Sequence, residues 1–134
     1  MKGIYVLIIK ISQPINPKIG ALGTTSFQAG LYAYVGSAQN NLETRVKRHL
    51  RKEKRLFWHI DYLLADPAAA VTEVYCLEGD KKCECQIAQL LAQRCEPVPG
   101  FGCSDCHCNS HLYRSESFDF LKGHMKQFDP TSEK

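Results

Sequence analysis

The sequence contains no apolar run long enough to cross a membrane, which excludes a protein built on membrane-spanning helices. It also lacks an export signal: the apolar stretch Ile4 to Ile9 is short, is followed by Lys10 and Pro14, and has no small-residue cleavage site. An even complement of cysteines is missing too, because seven cannot all pair within one chain. In a leaderless chain they read as thiols or metal ligands, and the expected setting is the reducing cytoplasm. There is no internal repeat and no interdomain linker. With 44% hydrophobic and 23% charged residues among 134, the chain reads as a single domain over residues 1–128 with a frayed tail at 129–134.

A large charge imbalance is absent as well, since the formal net charge is only +3. Its distribution is more telling. Between Arg45 and Arg55 lie seven bases and one acid, whereas the rest of the chain holds ten bases and thirteen acids. Positive charge gathered in one short element suits a surface that meets a polyanion such as a nucleic-acid backbone. A solvated helix face is the plain alternative.

Apolar periodicity gives a coarse order of elements. Gly3 to Ile11 is rich in β-branched residues and nearly continuous, as for a central strand buried on both faces. Ser12 to Gly30, with two prolines and three glycines, is a long connection with room for short edge strands between Lys18 and Phe27. Leu31 to Gly36 returns to a strand pattern, most simply antiparallel to the first. Leu42, Val46 and Leu50 mark a helix capped by Asn40 or Asn41. Phe57, Ile60, Leu63 and Leu64 mark a second helix ending before Asp66-Pro67. Val71 to Leu77 is a third strand and Cys83 to Arg94 a third helix. After a Pro/Gly/Cys-rich loop from Pro97 to Asn109 and a brief apolar piece at His111 to Tyr113, an amphipathic helix is expected from Ser115 through Phe128. The fold class is α/β of the α+β type: a small central, mainly antiparallel sheet of about three strands flanked by helices.

Gly3-Ile4-Tyr5 on the first strand, Tyr34-Val35-Gly36 on the second, and Arg45 with His49 on the next helix together resemble the signature of the GIY-YIG nucleases. The order matches throughout, and the spacing matches from Tyr34 onward. The long gap between Tyr5 and Tyr34 is similar to that of the small stand-alone branch grouped as Uri-type endonucleases. Val35 stands where isoleucine is usual, a change between two β-branched apolar side chains. The resemblance implies an endonuclease that hydrolyses phosphodiester bonds in DNA, because relatives act on branched, damaged or invading DNA. A role in DNA repair follows as an expectation.

The residue types suit that chemistry on their own terms. Phosphodiester hydrolysis needs an oriented water, a way to remove its proton, and cations facing the developing charge. Tyr5 is the expected base or proton relay, and Tyr34 the group that positions phosphate or water. A nearby metal and arginine should lower a phenol's pKa. Arg45 offers a planar fork of donors to phosphate oxygens. His49 relays protons, contacts phosphate or simply packs. Glu84 is a hard oxygen ligand for Mg2+ or Mn2+, with Glu73, Glu78 and Glu96 as rivals. Gly3 and Gly36 let backbone lie close to the site or to nucleic acid. Gly36, Ser37, Lys47, Arg48, Arg51 and Lys52 are the expected nucleic-acid contacts. His59 and Asp61 form an outer shell or an ordinary polar helix face, and Asn109 is a poor match to the asparagine that relatives carry late in the chain.

Cys103, Cys106 and Cys108 lie beside His107 and His111, with Cys83 and Cys85 upstream. Cys85, Cys106, Cys108 and His111 could supply four soft ligands to a structural Zn2+, against a reading as free thiols. The alternative to a nuclease is a non-catalytic nucleic-acid-binding module with such a zinc-stabilised loop. Pure binding, however, has no need of two strand tyrosines, an arginine and a glutamate in this order.

Overall fold

The β-branched run near the N-terminus dictates the architecture. All seven residues from Gly3 to Ile9 are buried, so the strand that carries them must be covered on both faces. The computed structural model, which describes residues 2–51, 55–56, 58–102 and 110–128, achieves this with a six-stranded sheet. In chain order the elements are β1 (Gly3–Ile11), β2 (Lys18–Ile19), β3 (Gly23–Thr24), β4 (Gly30–Ala38), α1 (Leu42–Leu50), α2 (His59–Leu64), β5 (Ala69–Glu78), α3 (Lys82–Arg94), β6 (Glu96–Pro97), β7 (Leu112–Ser115) and β8 (Lys126–Gln127). The sheet order is β6-β7-β4-β1-β5-β8, every neighbouring pair antiparallel. The sheet of about three strands expected from the sequence is its long inner trio, β4, β1 and β5. The three added strands span two to four residues each, too few for a period of two to register. Strands β2 and β3 form a separate small ribbon.

Two apolar clusters lie against the sheet's opposite faces. Alternation along β1 sends Tyr5, Leu7, Ile9 and Ile11 to one, with Leu42 and Val46 of α1 and Ile60, Leu63 and Leu64 of α2. Ile4, Val6 and Ile8 go to the other, with Ile87, Ala88 and Leu91 of α3. Residues 4–9 therefore show no polar alternation, because each face is covered by helices.

Local chemistry sets the helix ends. Asn41 caps α1, its Oδ1 accepting from Thr44 N at 3.1 Å. The α1 stripe differs from expectation at its end: Leu50 is exposed, and His49 is the residue turned inward. Helix α2 opens with Asp61 Oδ2 accepting from Trp58 N at 2.8 Å. The expected terminal helix from Ser115 to Phe128 is not formed. Ser115 ends β7, residues Asp119–Gly123 make a 3-10 turn, and β8 follows. Phe118, Leu121 and Met125 are still buried, while Gly123 sits where a continuous helix would bear a cost of about 1 kcal/mol. Among the described residues no helix is long and apolar enough to cross a membrane. The 129–134 tail lies outside the described residues.

Candidate active site

The β1–β4 register pairs Tyr5 with Gly36 and Leu7 with Tyr34, so the two tyrosines are diagonal neighbours on one face. Their ring centroids lie 6.5 Å apart. A Cβ on Gly36 would come within 2.5 Å of the Tyr5 hydroxyl oxygen, so the glycine makes room for the phenol. A Cβ on Gly3 would collide with the Leu77 carbonyl oxygen of β5. Packing within the protein thus already calls for a glycine at both positions, and Gly36 also lies at the site.

The Tyr5 hydroxyl shares a 2.7 Å hydrogen bond with His49 Nε2. Tyr5 and Tyr34 are 2% and 8% exposed, and burial pushes both phenols above the usual tyrosine range. At Tyr5 the Arg45 guanidinium offsets only part of this. At Tyr34 the charges of Glu84 and Asp61 add to it. The arginine lowers both phenols, as the sequence suggests, but desolvation outweighs this one neighbouring charge.

Arg45 donates from Nη1 to Ser37 O at 3.2 Å, and its guanidinium carbon stands 4.7 Å from the centre of the Trp58 ring. Arg48 also stacks on Trp58, at 4.6 Å, and donates to Asp61, with Nη1 to Oδ1 at 2.9 Å and Nη2 to Oδ2 at 3.1 Å, Nη2 donating as well to Arg55 O at 2.9 Å. Asp61 is fully buried. Arg48, expected among the nucleic-acid contacts, is thus turned inward to a buried carboxylate. Lys47 and Arg51 are exposed on the α1 surface. Lys52 lies outside the described residues. The His49 Nδ1 atom is 4.0 Å from Asp61 Oδ1, too long for a hydrogen bond yet close enough for the charge to be felt.

Glu84 reaches the site from the first turn of α3, which begins where Asp80 Oδ1 accepts from Lys82 N. Its Oε1 accepts from Ser37 Oγ at 2.8 Å, and its Oε2 lies 2.8 Å from His111 Nδ1. That nitrogen is also 3.2 Å from Val35 O. His111, considered for zinc, therefore turns Nδ1 toward the carboxylate because Val35 and His111 continue the β4–β7 pairing, Val35 N donating to His111 O. Ser37, expected to touch nucleic acid, holds Glu84 with its hydroxyl and Arg45 with its carbonyl. Cys106, Cys108 and Asn109 lie outside the described residues. Cys76, Cys83 and Cys95 are free thiols. Among the described residues no three histidine, cysteine, aspartate or glutamate side chains gather in a metal-holding group. The Glu84 carboxylate nonetheless fits a magnesium-type ion, for each oxygen keeps a lone pair beyond its one protein partner, and one carboxylate plus waters is an ordinary magnesium shell.

These side chains converge on one pocket of about 390 Å³, lined by Tyr5, Tyr34, Gly36, Ser37, Arg45 and Glu84, together with Trp58, His59, Lys81 and Gly102. Sequence reasoning does not single out Trp58, Lys81 or Gly102. Trp58 precedes a short helix, Lys81 is one exposed lysine among many, and Gly102 lies in an irregular loop, so none carries a period or spacing that marks it. Of the two residues read from sequence as an outer shell or a polar helix face, His59 lines the pocket and Asp61 lies behind it, paired with Arg48.

Fold and site together define an α+β protein with a polar, mixed-charge pocket at one end of an antiparallel sheet. By sequence, the family described as "Domain of unknown function DUF123" matches residues 4–131, and the chain belongs to that family. No curated protein and no solved structure matches it.

Proposed function

We propose that this protein is a divalent-metal-dependent endonuclease of the GIY-YIG type that hydrolyses phosphodiester bonds in DNA, with weak sequence specificity or selectivity for branched structure. The observation that carries the proposal is the convergence of Tyr5, Tyr34, Arg45 and Glu84 on one pocket, from two strands and two helices far apart in sequence.

Arg45 binds the scissile phosphate and offsets the charge that grows on it; stacking on Trp58 and the bond to Ser37 O hold its fork in place. Tyr34 orients the phosphate or the attacking water. Because burial disfavours a phenolate, Tyr5 works as a relay rather than a standing base. As the water oxygen attacks phosphorus and the bond from phosphorus to the departing nucleoside oxygen breaks, the water's proton passes to the Tyr5 oxygen while the Tyr5 proton passes to His49 Nε2, and the departing oxygen takes a proton from solvent. The Asp61 charge beside Nδ1 favours the imidazolium so formed. Glu84 would hold Mg2+ or Mn2+, which when bound supplies charge to the phosphate and acidity to water. Ser37 and His111 fix the carboxylate for that task. A function in DNA repair accords with this chemistry.

The test is incubation with single-stranded, duplex and branched DNA in Mg2+, in Mn2+ and with chelator. Metal-dependent cutting is expected, falling on the order of 100-fold or more in Tyr5→Phe and in Arg45→Ala. Cutting that survives both substitutions defeats the site. Binding with no cutting in either metal favours instead the non-catalytic nucleic-acid-binding module.

A further inference from the structure

We propose that His59 is a further catalytic residue, a neutral imidazole whose Nε2–H donates a hydrogen bond to a phosphoryl oxygen of the substrate. This rests on the nuclease reading and adds a donor to it.

The backbone N–H of Gly102 donates to His59 Nδ1 at 2.9 Å. An amide N–H can only donate, so Nδ1 carries no proton and the ring's proton sits on Nε2. Rotation of the ring is restrained by the Phe101 ring, edge-on at 5.6 Å between centroids. Both His59 and Gly102 line the pocket that holds Arg45 and Glu84. With Nδ1 taken by Gly102, Nε2–H is the polar group His59 has to offer that pocket.

A histidine that served only to pack α2 would need neither a fixed tautomer nor a place on the pocket wall. A donor aimed at developing charge needs both, because pre-set dipoles cost no reorganisation when the reaction occurs. Two other donors on the wall, Arg45 and Lys81, carry full positive charge. A neutral donor adds a directed hydrogen bond without drawing further on the Glu84 carboxylate that would hold the metal. The loop at Gly102 also gains a reason for its shape: its φ of +73° suits glycine, and a Cβ there would press on the Tyr34 ring at 3.3 Å.

Two substitutions separate a catalytic role from a scaffolding one. Glutamine puts an amide nitrogen near the Nε2 position, and asparagine puts an amide oxygen near Nδ1, where it can still accept from Gly102. If His59 donates to substrate, His59→Asn should lower the single-turnover rate about 100-fold with little change in DNA affinity, and His59→Gln should lose no more than about tenfold. If His59 only anchors the loop, the order reverses, and that reversal overturns the inference. Thermal unfolding of each variant checks that both fold. A readout independent of activity is the ring 15N spectrum of the wild-type protein at neutral pH, in which protonated Nε2 and bare Nδ1 are expected. Protonated Nδ1 would overturn the inference. Wild-type cutting with a fully active His59→Asn refutes this role alone, whereas absence of wild-type cutting refutes the nuclease reading and this role with it.

Discussion

Gly36 has no side chain because the Tyr5 phenol occupies the space a Cβ would need, and Tyr5 is in that space because His49 Nε2 holds its hydroxyl. Gly36→Ala should therefore displace the phenol, destabilising the fold by about 1–3 kcal/mol and slowing cutting together. Urea denaturation and cleavage rates check this; an alanine variant with wild-type midpoint and rate would show that the ring moves aside freely. The two tripeptides were legible in the sequence as chemistry, yet the reason for their glycines was not, since it depends on a cross-strand register no local pattern reveals. The depth of the phenols was hidden for a related cause. A sequence shows that an arginine is near a tyrosine but not how deeply the tyrosine is buried.

The helix α1 divides its bases between two tasks. Arg48 is joined to the fully buried Asp61, so removing it leaves a carboxylate stranded, and Arg48→Ala should cost about 3 kcal/mol of stability. Lys47 and Arg51 are exposed; changing both to glutamine should leave the melting temperature nearly unmoved. If they meet DNA phosphates, the salt dependence of binding should weaken, by a slope of about 0.9 for each phosphate no longer neutralised. Melting curves and binding titrations over a range of salt measure the two effects; a stable Arg48→Ala variant, or an unchanged slope in the double variant, would contradict this division. The helix and its Asn41 cap were readable from spacing. The inward turn of Arg48 and His49 was not, because Asp61 and Tyr5 approach from other elements. The final segment was misread as a helix for a similar reason: Phe118, Leu121 and Met125 have helical spacing and are buried, but a 3-10 turn and a strand bury them equally well.

Across the molecule, the shifts resolved for four tyrosines and two cysteines are all upward, with burial the first cause in each. Cys76, on the central strand β5, is pushed from 9.0 to about 12. A raised value in the folded state means that the unfolded chain releases its protons first as pH climbs. The stability these groups contribute is therefore whole below pH 9 and declines as pH rises from 9 toward 12. Urea midpoints measured from about pH 7 to about pH 11 should be level at first and then fall; a midpoint constant over that whole range would mean these groups are less buried than described. The three-layer plan was legible because a strand apolar on both faces demands cover on both sides, whereas the short edge strands left no trace of period. The central claim is that a carboxylate on one side of the sheet's end and phenols on the other serve a single phosphate. Its most direct test is the metal-dependent single-turnover cleavage of a branched DNA duplex by the wild-type protein and by Glu84→Gln, side by side. Cutting by the first and a loss on the order of 100-fold or more in the second are expected; equal rates, or no cutting by the wild type, would contradict that claim.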